Sequence, residues 1–373
     1  MHPFALRRRG GEHAPNLARE LLGRGHFVRG FGAPPGRIPR SGPDFPVEGE
    51  AAPGDGLGLA GFRPDVIVAY DALSPAAWLG ARRARRLTLP LVLVEEGLPE
   101  AGSSFERFLR QSGEHLFGAY VRRAATRVVA VDGVARAQAL KEGFRPSQVE
   151  LVPRGVDLAN YRPGLTSSLP ARHGVRGRIV LHLGAIEDAD ALGRLLRAFA
   201  GSLGQGGGWS LLFAGEGAGR AHLRALAERL GVGARVHWMS PPREEERAGL
   251  LGSATLLAVA GEGPADAATA REALAAGLPV VAADAPRLGE LVEPDGCGLL
   301  VDGGQLGAWS EALRLAASSP QRRRRWRKRA RELAEERWSW SGVGVEFERV
   351  LLQAVERSVI EPSGDARPAR QEG

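Results

Sequence analysis

Residues 127–153, RVVAVDGVARAQALKEGFRPSQVELVP, hold the reading that decides the fold. The run 127–131 has the length and β-branched content of a buried strand, 134–142 has helical spacing, and 149–153 is a second short strand. Two strands joined through a helix lie parallel, because a parallel neighbour needs a crossover where an antiparallel one needs only a hairpin. Toward the N-terminus the alternation continues, with strands expected at 65–70 and 89–95 and a long amphipathic helix over 105–125. Ser74 and Pro75 supply an N-cap and a first-turn proline for a helix running to Arg86. A helix over 16–22 stops at Gly23-Arg24-Gly25 and gives way to a short strand over 26–31, while the Pro/Gly density of 33–61 marks a long surface loop.

Toward the C-terminus a second series begins. Strands are expected at 179–183, 210–214, 235–238, 255–259 and 279–282, with helices near 191–203, 219–230, 244–251 and 267–276. Repeated β/α order makes the fold class α/β, with two doubly wound parallel-sheet domains. The organisation expected is a first domain over 1–160, a linker without periodicity over 161–177, a second domain over 178–337, a closing helix within 338–358 and a polar, disordered tail over 359–373.

Composition agrees with a two-domain globular body: 373 residues, 43% hydrophobic and 25% charged. No apolar run approaches the ~20 residues a bilayer crossing needs, and the start lacks the apolar core of a signal peptide, so a cytoplasmic location is expected. Cys297 is the only cysteine, which excludes an intramolecular disulfide and a cysteine metal cage. The formal charge is +7, and 320–337 holds nine Arg or Lys against Glu332, Glu335 and Glu336, so one segment carries nearly the whole excess. Such a run is a solvated helix face or, through Arg322, Arg323, Arg324 and Arg325, a contact with anionic lipid on the inner face of a membrane. No stacking platform or groove-reading motif accompanies the charge, so nucleic acid is not an expected partner.

In open α/β sheets, ligands sit beyond the carboxyl ends of the strands, where glycine turns let backbone N–H groups and helix N-termini approach phosphate. The turns that qualify are 184–190, which follows the 179–183 strand, and 261–266, where Asp266 could cap the next helix. No G-x-G-x-x-G follows a first strand, which disfavours a nicotinamide dehydrogenase.

Leu151-Val152-Pro153-Arg154-Gly155-Val156-Asp157 is similar to the strand and turn that close the first domain of the family 4 glycosyltransferases, there V-P-N-G-V-D. Arg9-Gly10-Gly11-Glu12, Arg24-Gly25-His26, Val129-Ala130-Val131, Ala214-Gly215-Glu216-Gly217 and the stretch from Glu272 through Gly277 to Val281 fall in that family's order. Trp338-Ser339-Trp340 resembles the signature before its C-terminal helix, which crosses back onto the first domain. The resemblance implies a GT-B architecture, two Rossmann-like domains facing a cleft. It also implies a retaining transfer of a hexosyl group from a nucleotide sugar to an acceptor hydroxyl on a glycan, lipid or small molecule, without metal or cofactor. It places Gly10, Gly11, Gly184, Gly215, Gly217, Gly261, Asp266 and Glu272 at the donor, with Glu272 as the second glutamate of the E-x7-E motif, which binds ribose hydroxyls. Gly10, Gly11 and Glu96 border the acceptor side.

The chain departs from the family at the residues that do chemistry. Pro264 stands where the first motif glutamate belongs, and Glu262, two residues earlier, is the candidate substitute. Glu96 stands at the histidine of a His-Gly strand end and could act as a base. Ala185 and Asp190 replace the arginine and lysine that neutralise the donor phosphates, and one like-charge contact at ~4 Å costs on the order of 4 kcal/mol at an effective dielectric near 20. Arg154, Arg194 or Arg271 could supply the missing charge. Asp188-Ala189-Asp190 has a metal-binding D-x-D spacing, but two aspartates in an exposed acidic loop are more often solvated, and no metal is expected. Beside the enzyme therefore stands a second expectation, a pseudo-glycosyltransferase that serves as a binding or partner subunit.

Overall fold

The strand Arg178–Leu183 sends Val180 into one hydrophobic core and Leu181 into another, and its neighbours do the same. Leu211 and Phe213 face the side of Val180, whereas Leu212 and Ala214 face the side of Leu181. Such strands read as continuous apolar runs because both faces of a parallel sheet must be covered. One face is covered by the helices Glu244–Ser253, Pro264–Ala275 and Pro320–Trp338, the other by Ala189–Phe199, Arg220–Arg229 and Leu306–Ser318. The sheet is six-stranded and parallel, in the order 298–301, 280–283, 256–259, 178–183, 209–214, 236–239.

A computed structural model of the chain describes residues 13–31, 47–48, 63–97, 118–206, 208–293 and 296–360. Among the described residues the chain divides into two units, one spanning Gly155–Trp340 and the other 13–154 and 341–360. Among the described residues, the second unit carries a four-stranded parallel sheet of Ile67–Tyr70, Leu91–Glu95, Arg127–Ala130 and Val149–Leu151, in that order. Ser74 caps the helix Pro75–Leu87 by accepting from the Ala77 N–H, and Asp132 caps Gly133–Lys141 by accepting from Ala135. The helix Trp340–Ile360 closes this unit: Arg24 donates to the Ser341 carbonyl at 2.8 Å, and His26 lies 2.6 Å from Glu348.

Several boundaries differ from the sequence reading. The segment expected as a linker, 161–177, belongs to the C-terminal unit, whose division from the other falls at Gly155 rather than at residue 160. Tyr161 and Val175 are buried in its core, and the Ser167 N–H donates to Ser253. Proline and serine had hidden these anchors by breaking the apolar period. The strand Gly298–Val301 and the helix Leu306–Ser318 were not foreseen; a four-residue edge strand carries too little pattern to be read alone. The strand expected over 26–31 contracts to Gly30–Phe31, paired with Val47–Glu48, since His26 is held by Glu348 instead. Most of the 33–61 loop, the 105–125 helix before Ala119 and the tail beyond 360 lie outside the described residues.

Gly155 and Trp340, the two ends of the C-terminal unit, touch. The Val156 N–H donates to the Trp338 carbonyl at 2.8 Å, Val156 pairs with Ser339, and a Cβ on Gly155 would fall within the Trp340 ring. Two motifs nearly two hundred residues apart thus form one joint. The basic run is used in a similar way. Arg323 is buried, donates to the Ala316 and Ala317 carbonyls at the end of the preceding helix, and lies over Trp209. Arg331 donates to the carbonyls of Leu158, Tyr161 and Ala275. Of the four arginines read as one lipid-facing group, only Arg324 and Arg325 are exposed, Arg322 being half-buried and Arg323 buried.

Gly155→Ala is expected to lower stability by about 1–3 kcal/mol, the usual range for overpacking, read as a lower denaturant midpoint. Arg323→Ala should lower it by a similar amount, about 1–3 kcal/mol, by leaving buried carbonyls without a donor.

Candidate functional site

The strand order of the C-terminal unit reverses between 178–183 and 256–259: the chain first winds outward on one side of 178–183, then returns to the other. At such a switch point, adjacent crossovers diverge and leave a crevice beyond the carboxyl ends of the strands. The two turns singled out in the sequence, 184–190 and 261–266, follow these two strands. His182 ties them together. It is buried, with Nδ1 3.4 Å from the Ala258 carbonyl and Nε2 3.4 Å from the Ala185 carbonyl. Burial lowers its pKa, against the opposing pull of Asp266 and the two carbonyls.

The glycines of the neighbouring turn have packing duties. A Cβ on Gly215 would strike the Gly184 carbonyl, and one on Gly217 would strike the Ile186 carbonyl. The two turns are then stitched by hydrogen bonds from Ile186 N–H to Glu216 and from Gly219 N–H to Ile186, each 2.8 Å. Close backbone approach accounts for both glycines. Gly261 is needed for a different reason, since its Cβ would meet the Asp266 carboxylate. Asp266 accepts from the Gly263 N–H at 3.0 Å and fixes the start of the helix Pro264–Ala275, in which Pro264 occupies the first position. The helix begins three residues earlier than its apolar spacing suggests. Glu262 is exposed on the turn before it.

Glu272 lies on this helix and is gripped from another one. Arg247, from Glu244–Ser253, donates through Nε to Glu272 Oε2 at 2.5 Å and through Nη2 to Thr269 Oγ1 at 2.9 Å. Burial alone would depress the Arg247 pKa, but the charge and hydrogen bond of Glu272, with Glu244 behind it, outweigh it and hold the guanidinium above its ordinary value.

The arginines considered as replacements for the lost phosphate cations have other partners. Arg154 pairs with Glu96 at 2.5 Å, Arg194 donates to the Gly303 carbonyl at 2.8 Å, and Arg271 lies over the Trp338 ring. Asp188 accepts from the Asp190 and Ala191 N–H groups and so caps its helix, which gives the D-x-D spacing a structural role. Among the described residues, no group of three or more His, Cys, Asp or Glu side chains is placed to hold a metal ion.

In the other unit, Glu96 follows the Leu91–Glu95 strand and meets Arg154. His13 Nδ1 lies 3.9 Å from the same Glu96 oxygen and 3.1 Å from the Tyr70 hydroxyl. Burial, with the Glu96 charge behind it, pushes the Tyr70 hydroxyl upward. Gly10 and Gly11 lie outside the described residues. Sequence reasoning missed Arg247, His182, His13 and Tyr70 as partners. His182 had a usable signal, a lone polar residue inside a strand buried on both faces; Arg247 had none.

Two parallel-sheet α/β units, one with glycine turns at a switch point, have the make-up of the GT-B fold, the fold of the solved glycosyltransferases that this chain resembles. Residues 10–160 match the model described as Glycosyltransferase Family 4, and residues 170–333 match Glycosyl transferases group 1. The chain belongs to the family 4 glycosyltransferases. The D-inositol 3-phosphate glycosyltransferase of Mycobacterium tuberculosis (strain F11) is 33% identical over 291 residues, covering 72% of this chain and 59% of the relative. The enzyme of that name from Rhodococcus opacus (strain B4) is 35% identical over 189 residues, covering 48% and 42%. The chain spans about half the length of the curated relatives it matches. Among solved structures, sucrose-phosphate synthase from Thermosynechococcus elongatus superposes with TM-score 0.69 at 18% identity, over 94% of each chain. HepE of Anabaena in complex with UDP and glucose gives 0.64 at 21%, covering 83% of this chain and 86% of that one.

Burial, together with the nearby Asp71 and Glu142 charges, pushes the carboxyl of Glu95, beside Glu96, up to about 8 from an ordinary 4.5. The folded chain therefore holds a proton that the unfolded chain releases, and stability falls as pH rises from 4.5 through 8. Glu95→Gln should raise stability at about pH 8.5 by on the order of 2–4 kcal/mol, the gain shrinking toward about pH 5, as read by thermal melts across pH.

Proposed function

We propose that this chain transfers a hexosyl group from a nucleotide-diphosphate sugar to an acceptor hydroxyl with retention, the donor lying against the turns 184–190 and 261–266. The observation that carries this reading is Glu272, a carboxylate fixed by Arg247 on the helix that leaves the switch point. A carboxylate accepts hydrogen bonds from two neighbouring ribose hydroxyls well, and these bonds are stronger than neutral ones. Gly184 and Gly261 open the backbone toward the diphosphate, and the helix dipoles behind them favour its negative charge. Arg220, half-exposed and 3.5 Å from the Gly215 carbonyl, is a cation at the start of the helix that follows the adjoining turn. In the N-terminal unit, Glu96 with Arg154 serves the acceptor. Several of the relatives are named for D-inositol 3-phosphate, which makes that compound the first acceptor to try.

UDP-, GDP- and ADP-sugars at about 100 times Kd should stabilise the chain by about 2.7 kcal/mol, seen as a raised Tm, and Glu272→Ala should abolish the shift. Release of the nucleoside diphosphate on addition of acceptor then separates an enzyme from a binding or partner subunit. No shift with any donor at millimolar levels, with or without Mn2+, overturns the donor reading.

The lipid-facing reading of the basic run narrows to Arg324, Arg325 and Lys328, its exposed cations nearest one another. Neutralising Arg324 and Arg325 should reduce co-sedimentation with phosphatidylglycerol vesicles, by about 1 kcal/mol of binding for each charge. Indifference would return the run to a solvated face.

A further inference from the structure

Arg247 follows three consecutive glutamates, Glu244, Glu245 and Glu246, that occupy the first turn of its helix and complement the helix dipole there. Its own side chain is turned inward, 16% exposed, to meet a helix 22 to 25 residues further along the chain. There it reads two side chains on one face, Thr269 and Glu272. The Thr269 hydroxyl donates to the Ala265 carbonyl at 3.0 Å, which commits its proton and leaves oxygen lone pairs toward Arg247. The guanidinium fork is thus held at two points, one neutral and one charged. An arginine suits this task because its donors are planar and fixed relative to one another, whereas a lysine ammonium has no preferred direction.

A glutamate on a helix surface has three rotatable bonds, and a carboxylate that swings loses most of its value for orienting a ligand. We propose that Arg247 is the positioning residue for the ribose-binding carboxylate, holding Glu272 in one rotamer so that it can accept from the hydroxyls of a nucleotide. Thr269 sets the angle of the fork and so belongs to the same device. This rests on the donor reading above. A strap between two helices would use the same contacts, but it would affect stability alone and leave ligand discrimination untouched.

The full chain is titrated calorimetrically with UDP, GDP and ADP and with their 2′,3′-dideoxy counterparts, and the pair containing the best binder is carried forward. The parent should prefer the ribose form, and Glu272→Gln should bring the two affinities together. Arg247→Lys should cut the ribose preference roughly tenfold, a difference of about 1.4 kcal/mol, while dideoxynucleotide affinity stays within about twofold. Thr269→Val, which leaves the charge pair in place and is nearly isosteric, should cut it in the same direction and guards against a fold lost in the arginine variant. A preference unchanged in both variants, with a lowered Tm, overturns the positioning role and leaves a strap. A parent that binds nucleotides without distinguishing ribose from dideoxyribose, or binds none of them, removes the donor reading itself and this inference with it.

Discussion

A parallel sheet can leave neither face in water, and the C-terminal unit follows from that constraint. Val180 and Leu181, Leu211 and Leu212, Val280 and Val281 are adjacent in sequence yet belong to opposite cores. Each crossover must therefore deliver a helix to one face or the other, and filling both faces makes the winding reverse once. The reversal falls between the strands 178–183 and 256–259. Two glycine turns are left side by side at their carboxyl ends, with a buried histidine between them. The crevice at the candidate site is a by-product of covering the sheet.

What fills that site differs from what the family's motifs would supply. Ala185 and Asp190 remove two cations, and Pro264 starts a helix where a carboxylate is expected. The backbone frame persists, because Gly215 and Gly217 are required by contact with the Gly184 and Ile186 carbonyls whether or not a phosphate binds. Glu272 persists too, and it is held in a part-buried ion pair with Arg247. Removing one partner of such a pair leaves a partly desolvated charge behind, so the chain has a stability reason to keep Glu272 alongside any functional one.

The arginines show how little a charge count says about use. Arg323 caps a helix from within the core, and Arg331 pins the turn at 158–161 to the end of another helix. In both cases the guanidinium head donates to backbone carbonyls within the same unit. A segment that reads as a uniform basic face is in fact divided between interior fasteners and a smaller exposed group.

Legible in the sequence were the α/β class, the parallel order of strands, the helix starts at Ser74 and Asp266 and the residues of the two glycine turns. Each of these is local: an apolar run such as 127–131, a Ser74-Pro75 start, an Asp266 three residues into a helix turn. Tertiary structure alone decided that 161–177 joins a core, that Gly155 lies under Trp340, that Arg323 is buried and that Arg247 holds Glu272. Those pairings join residues from a few tens to nearly two hundred positions apart. Hydrophobic period and capping chemistry reach only about one or two helical turns along a chain, so nothing in them says which distant side chain a buried charge will meet.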